Sequence, residues 1–433
     1  MGIQFSPKSL PFRMSFFKSF MTQLIQVALP IALSLFFFIH AVLEYNHFDS
    51  MNELQLSQAD TVRVSLYSLN RPESLHLSSS AGLIIIYSDN QTDTLSKRYF
   101  DVNLMLEPKK FLFSSNGQTL EIDSLQVTSD TSSTQLVTEE YGYRHYSGSL
   151  HIKPNINGEG LSIVNYVDLE SYVASVVGSE MDFDHPEALK AQAVVSRSYA
   201  LWSIERSPYR DFDLLDHESN QVYFGIIQDK PWYELAAKTT KGEILTWSNQ
   251  LILAVFSSTC GGKTADNKDV WGGIDHPYLT IQDDAESCSL SPHYNWTYSI
   301  EENKFQELIF QYYGFRFDKK IIEKDMSGRV QKVMLTAENA DTLQFTGNDF
   351  RLFINSYAGK LAIRSTKYDW SRDNDMIFFE GKGLGHGIGL CQWGALGFAQ
   401  SGWNYKDILT FYFSGTNIVS LNDIKSNTLR LFN

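Results

Sequence analysis

Three places in the chain carry residue types that do chemistry. Glu180 stands between two helical stretches in "YVDLESYVASVVGSEMDFDHPEALKAQAVVSRSYALW", and Arg197 sits on the second of them. The stretch "FSSTCGGKT" puts Ser258, Lys263 and Thr264 at the end of an apolar run. The third, "GKGLGHGIGLCQWGALG", surrounds His386 and Gln392 with seven glycines from Gly381 to Gly397. A carboxylic acid beside apolar walls tends to keep its proton, because burial penalises the charged form, and a retained proton is what a general acid needs. Glu180 is the candidate for that role. An inward-facing arginine needs an acceptor, and Glu180 is one candidate partner for Arg197. The alternative is a solvated Glu180 and a snorkelling Arg197. Side chains collected at strand ends and in glycine-rich turns are suited to hold a ligand by hydrogen bonds. The competing account of the glycines is close packing of one turn against another backbone.

Several other chemistries fail on spacing. "CGGKT" is not a phosphate loop, since Ser257 stands where that motif requires glycine. No G-x-G-x-x-G, G-x-S-x-G or H-E-x-x-H occurs, which argues against dinucleotide binding, a serine hydrolase and a zinc protease. Cys260, Cys288 and Cys391 are too few for a disulfide scaffold, although Cys260 and Cys288 form a candidate pair in an oxidising compartment. With His386 they have zinc-ligand types, but no short CxxC spacing, so neither a metal centre nor a cofactor is expected. His293 and Trp296 in "SPHYNWTY" suit a sugar groove, though core filling is the commoner use of such aromatics.

The elements that must position these groups are legible in part. Leu169, Tyr172, Val173, Val176 and Val177 form one apolar stripe at helical period, with Asp168 as cap and Gly178 as a left-handed exit. Asp184-His185-Pro186-Glu187 reads as a capping box with proline in the first turn of a second helix. Glu180 is therefore expected in a tight connection. On the second helix Leu189, Ala193, Arg197, Ala200 and Ile204 share a face. Upstream, "TVRVSLYSL", "LIIIYS", "FDVNLML", "LEIDSLQVT" and "LHIKP" are strand-like runs divided by turn residues. Downstream, "QLILAVFSS", "VQKVMLT", "LQFTG" and "MIFFEG" are expected strands, "KFQELIFQYYGF" a short helix, and the C-terminal region glycine-rich and then helical.

With 433 residues, 43% hydrophobic and 14% aromatic, the chain is long enough for more than one core and too apolar to be disordered. Its net charge of -14, without a long basic run, argues against nucleic acid as a partner. Lys8, Arg13 and Lys18 precede the apolar run Leu24 to Leu43, and Glu44 and Asp49 follow it. That asymmetry predicts a signal anchor or signal peptide with the bulk of the chain exported. The expected organisation is a cytoplasmic basic tail (1–23), the membrane segment (24–43), a linker (44–56), a β-rich part (57–165), a helix-bearing core (166–420) and a C-terminal tail (421–433). The expected fold is α+β, with the β-rich and helix-bearing parts walling one cleft and Glu180 at its floor.

Four stretches in order resemble the stage II sporulation protein D family, also called SpoIID/LytB. They are "IVNYVDLESYVASVVGSEM", "PEALKAQAVVSRSYAL", "FSSTCGGKTADNKDVWGG" with "PYLTIQDD", and "GHGIGLCQWGALGFAQSGWNYKDILTFYFSG". The resemblance covers roughly residues 60 to 420 and implies a cell-envelope protein acting on peptidoglycan. Its sporulation members are lytic transglycosylases that cut peptide-free glycan. Its LytB members are described as enhancers of a separate amidase. Both classes stay open on the sequence. By position Glu180 falls where the family has its catalytic glutamate, and Arg197 and the "SSTCGGKT" and "GHGIGLCQ" loops would hold glycan. Some members carry a metal-binding His-Cys pair before "QVY". Here Ser219 and Asn220 occupy those places, so that site is not expected.

Overall fold

The computed structural model describes residues 60–423, apart from 80–82, 88–90, 96–98, 106–109, 116–117, 129–133, 139–140, 156–159 and 285–286. The membrane segment expected over 24–43, with its flanking tail and linker, lies outside the described residues, as does most of the C-terminal tail. Among the described residues no helix is long and apolar enough to cross a membrane. The architecture is mixed α and β.

All five upstream strand-like runs are strands, and they enter two antiparallel sheets. One has the order Leu214–Leu215, Thr61–Leu66, Leu161–Asp168, Ser149–Pro154, Leu125–Thr128, Leu83–Tyr87, Gln91–Leu95, with only the first pairing parallel. The other runs Gly142–Tyr146, Thr134–Thr138, Ser74–Ser78, Tyr99–Met105, Lys110–Ser115, Gln118–Ile122. "LEIDSLQVT" is thus two strands in two sheets, divided at Asp123 and Ser124. The alternation of Ser149–Pro154 buries Leu150 and Ile152, and Thr61–Leu66 buries Val62, Val64 and Leu66. Side chains two residues apart share a face of a strand, so these rows form the sheet's apolar side.

The strand Leu161–Asp168 runs straight into helix α1 (Leu169–Glu180), whose Asp168 cap accepts from Ser171 N at 3.0 Å. Helix α2 (Pro186–Glu205) follows, then α3 (Pro231–Thr239) and the short α4 (Asn267–Trp271). The stripe expected on α1 is buried in full. Gly178, however, is not an exit. The helix runs through it because a Cβ there would lie 2.6 Å from the Tyr233 ring and 2.7 Å from Ile227, so glycine serves the close approach of α3. Glu180 is the last residue of α1 rather than part of a connection. Nor is there a capping box at α2. His185 is the N-cap without a side-chain bond, and Glu187 instead accepts from Tyr405 N and Lys190 Nζ.

Residues 295–382 build a core of their own. Strands Asn295–Glu301, Met376–Lys382 and Tyr368–Asp373 form one sheet, and Lys319–Lys324, Val330–Thr336 and Thr342–Thr346 another. Helices α5 (Glu302–Tyr313) and α6 (Gly347–Ala358) accompany them. One hydrophobic cluster from Trp296 to Phe379 fills the interior, with Phe305 ringed by Phe317, Phe350, Trp370 and Phe379. Trp296 belongs to this cluster, which is the core role weighed against a sugar-groove role. The chain then returns through α7 (Gln392–Gln400) and α8 (Tyr405–Tyr412), which pack on α2.

Candidate functional site

Glu180 is held by a segment that sequence reading treats as a plain loop. In "HESNQVYFG" the backbone N–H of Val222 donates to Glu180 Oε1 at 2.7 Å, and Phe224 N donates to Ser179 Oγ at 3.2 Å. The neighbours of these residues pin the segment. Gln221 Nε2 donates to Ser196 O on α2, and the Tyr223 hydroxyl donates to the buried Asn165 Oδ1 at 2.6 Å. Asn220 accepts from Leu215 N and donates to the Tyr199 hydroxyl, so its side chain is spent on the loop itself. Tyr172 and Tyr223 stack at 5.3 Å behind the glutamate. Burial drives the Glu180 carboxyl up to about 7, against the pull of the Val222 N–H, and the Glu218 charge adds to the rise. A carboxyl in that state is a proton donor and its conjugate base at neutral pH.

Arg197 has a different partner from the one weighed in the sequence. It is completely buried, and its guanidinium donates to Glu170 at 2.5 and 3.0 Å, to Glu243 O at 3.0 Å and to Ala237 O at 3.2 Å. Glu170 lies on α1 two turns and more before Glu180, and it also accepts from Gly242 N. The arginine therefore ties α1, α2 and the end of α3 together, and all its donor directions face protein. A ligand-holding role for Arg197 does not fit that burial.

The two glycine-bearing loops run side by side. Phe256–Ser257 pairs with Leu390–Cys391, Thr259 exchanges backbone bonds with Leu384 at 3.1 and 2.9 Å, and Ala265 N donates to Gly387 O. The expected strand "QLILAVFSS" is consequently broken into Gln250–Leu251 and Phe256–Ser257. At Gly383, with φ of +85°, a Cβ would stand 2.5 Å from Thr259 O. Close backbone packing accounts for that glycine. The loops lie beside the Glu180 turn, for the Phe183 and Trp393 rings are 5.7 Å apart and Trp393 N donates to Ser258 O. Gln392 is buried against Gln192 of α2 at 3.5 Å.

The remaining sequence candidates divide by exposure. Thr264 is buried, donating to Thr280 O and accepting from Gln282 N, so it serves the loop. Lys263 is exposed and 3.5 Å from Asp283. Ser258 is half-buried. His386 accepts from Ile388 N through Nδ1, and burial and the Arg329 guanidinium hold its imidazole down near 4. It is neutral at physiological pH. Beside it, 5.1 Å between ring centroids, stands the exposed Trp271 of α4. The sequence supplied no signal for Trp271 or Val222, because exposure and backbone direction have no local signature. Cys260 and Cys288 are free thiols with Sγ atoms 3.7 Å apart, so the candidate disulfide is not formed here.

An α+β chain with a helix-terminal carboxyl of raised pKa, and with two paired glycine loops packed near that helix end through Phe183 and Trp393, is the class the geometry defines. Comparison with known proteins narrows it. A model of the stage II sporulation protein (SpoIID) family matches residues 157–247, the span holding Glu180, Val222 and Arg197. The chain is 32% identical over 275 residues to stage II sporulation protein D of Bacillus subtilis, covering 59% of this chain and 75% of that protein. An uncharacterized protein of Brachyspira hyodysenteriae is 32% identical over 285 residues, 64% of this chain and 73% of its own. The amidase enhancer of Bacillus subtilis is 26% identical over 280 residues, which is 54% of this chain and 38% of that protein. The chain belongs to the stage II sporulation protein D family.

Proposed function

We propose that this protein remodels peptidoglycan in the cell envelope as a lytic transglycosylase, with Glu180 as the group that acts first as acid and then as base. The observation that carries the reading is the environment of Glu180, a half-buried carboxyl raised to about 7 and fixed in direction by the Val222 N–H. Hydrolysing glycosidases normally use two carboxyl groups, one for the leaving oxygen and one for water or the anomeric carbon. Here one suffices. The protonated Glu180 gives its proton to the glycosidic oxygen as the bond to the muramic C1 breaks. The carboxylate then takes the proton of the muramic 6-hydroxyl as that oxygen bonds to C1. The product is a 1,6-anhydro end, no water is consumed, and Glu180 regains its proton.

In this reading Ser258, Lys263 and the paired loops contact glycan, and Trp271 offers an aromatic face for a sugar ring. Gln392 and His386 shape the loops they sit in. The protein acts outside the cytoplasm, and residues 24–43 attach or export it. The likeness to an amidase enhancer favours a second reading, in which the same surface holds glycan for a separate amidase without cutting it.

The test is incubation of the purified protein with peptide-free glycan strands and with intact sacculi, followed by mass spectrometry of released products. Anhydro-muropeptides from the wild type and a loss of at least ~100-fold in Glu180→Gln are expected, the usual scale of general acid–base catalysis. Clear glycan binding without products from either protein would discard the enzyme and leave the enhancer.

A further inference from the structure

Three distant segments of the chain bring Cys260, Asp284, Cys288 and Cys391 together. One ligand atom of each lies within 4.8 Å of the others, and all four residues are buried. We propose that these three thiolates and one carboxylate bind a single zinc ion in a closed, structural site. The sequence pattern hides it, since the spacings are long and the fourth ligand is Asp284 rather than His386.

The geometry fits that ion. Zinc takes four N, O or S ligands tetrahedrally, with Zn–S near ~2.3 Å, and the edge of such a tetrahedron between two sulfurs is about 3.8 Å. Cys260 Sγ and Cys288 Sγ are 3.7 Å apart. Asp284 Oδ1 is 2.7 Å from Cys260 Sγ, and it must draw back by about 0.9 Å to take its own vertex, since Zn–S of ~2.3 Å and Zn–O of ~2.1 Å set that edge at about 3.6 Å. The partners around the ligands are those that metal thiolates use. Backbone N–H groups of Cys260 and Gly394 donate to Cys391 Sγ at 3.2 and 3.3 Å, and Gly262 N donates to Cys288 Sγ at 3.2 Å. The Tyr412 hydroxyl donates to Asp284 Oδ2 at 2.5 Å, orienting the carboxylate from outside. A side chain at Gly394 would collide with Asp284 Oδ2 at 2.2 Å, so glycine keeps that approach open.

Charge gives a separate argument. Three thiolates and a carboxylate around a divalent ion leave two negative charges, which are costly in a buried place unless compensated. One cation from residues 295–382 reaches the cluster: Arg329 is buried, donates through Nη2 to Cys260 O at 2.8 Å, and leaves its Nε and Nη1 without hydrogen-bond partners. A disulfide would satisfy two sulfurs and strand the third, with Asp284 and Arg329 both unaccounted for. Zinc uses all four ligands, and the thiol protons leave to solvent. The ion would clamp "SSTCGGKT" to "GLCQWGA" at the start of α7, fixing both loops beside the Glu180 turn.

The test is zinc analysis of the full-length protein purified under reducing conditions without chelator. About one zinc per chain is expected, released in step with titration of the thiols by a mercurial. Cobalt in its place should give a thiolate charge-transfer band and the strong visible absorption of a tetrahedral ion. Cys288→Ser and Asp284→Asn should bind zinc at least ~10-fold more weakly, the scale of losing ligand support, whereas His386→Ala should keep it. Less than about a tenth of an ion per chain, with three titratable thiols or with a mass two daltons low from a disulfide, would overturn the site. So would undiminished zinc in Cys288→Ser. Should a variant fail to fold, the wild-type stoichiometry and cobalt spectrum decide alone.

Discussion

In the proposed reading Glu180 acts through its surroundings, and those surroundings have consequences for pH. Its folded-state value near 7 lies above the ordinary 4.5, so the folded protein holds this proton more tightly than the unfolded chain. Stability attached to Glu180 is therefore intact below the unfolded value and is lost as pH rises toward 7. The cost of ionising it in place is about 3 kcal/mol above that range. Glu180→Gln keeps an acceptor for the Val222 N–H and carries no charge. It is expected to melt above wild type at about pH 8 and level with it near pH 4.5, a comparison thermal unfolding makes directly. With Glu180 as the proposed acid, glycan cleavage should have an alkaline limb near pH 7, because the proton-bearing form would begin that reaction. A rate that is flat from about pH 6 to 9 would count against the acid role. Arg197 belongs to the same scale with the opposite meaning. Removing its head in Arg197→Met leaves Glu170 half-buried without its partner and should cost about 3 kcal/mol in denaturant unfolding. Fully folded Arg197→Met with selectively weakened glycan binding would restore the ligand role that burial argues against.

At the scale of elements, α1 matters because it delivers Glu180 at its last residue. Its register depends on Gly178, where α3 comes close enough that a methyl group would meet the Tyr233 ring. Gly178→Ala gains helix propensity yet overpacks the contact, at a net cost of about 1–3 kcal/mol. The displaced helix end should also lower glycan cleavage, measured as product released per folded protein. The loop "QVYFG" is the second positioning element. Each of Gln221, Val222, Tyr223 and Phe224 makes a bond to a different neighbour, so its backbone is fixed without being helix or strand.

For the whole molecule, residues 295–382 have their own hydrophobic cluster yet send Arg329 into the glycine loops. Phe305→Ala empties the centre of that cluster and is expected to cost about 3–5 kcal/mol. Hydrogen exchange should then rise through 296–379 while the sheet around Thr61–Leu66 and Leu161–Asp168 stays protected. Equal loss of protection in both regions would mean that they unfold as one unit.

The sequence by itself determined the elements that are periodic and local. The stripe on α1, the five strand-like runs named between Thr61 and Pro154 and the helix Glu302–Tyr313 need only their own residues to be recognised, whereas Ser74–Ser78, Gln91–Leu95, Lys110–Ser115, Thr134–Thr138 and Gly142–Tyr146 went unnamed. It also singled out Glu180 and the two glycine loops, through a resemblance that the comparisons bear out at the level of the family. Tertiary structure alone decided the partners. Glu170 took Arg197, Val222 took Glu180, and Asp284 lies beside the three cysteines that sequence reading had weighed with His386 and set aside as a metal group. Gly178 could be an exit or a contact, and only the nearness of Tyr233 settles which. Apart from Asp284 and Cys288, the deciding group lies tens of residues away along the chain. Nothing local records which distant atom will fill a hydrogen bond or a cavity.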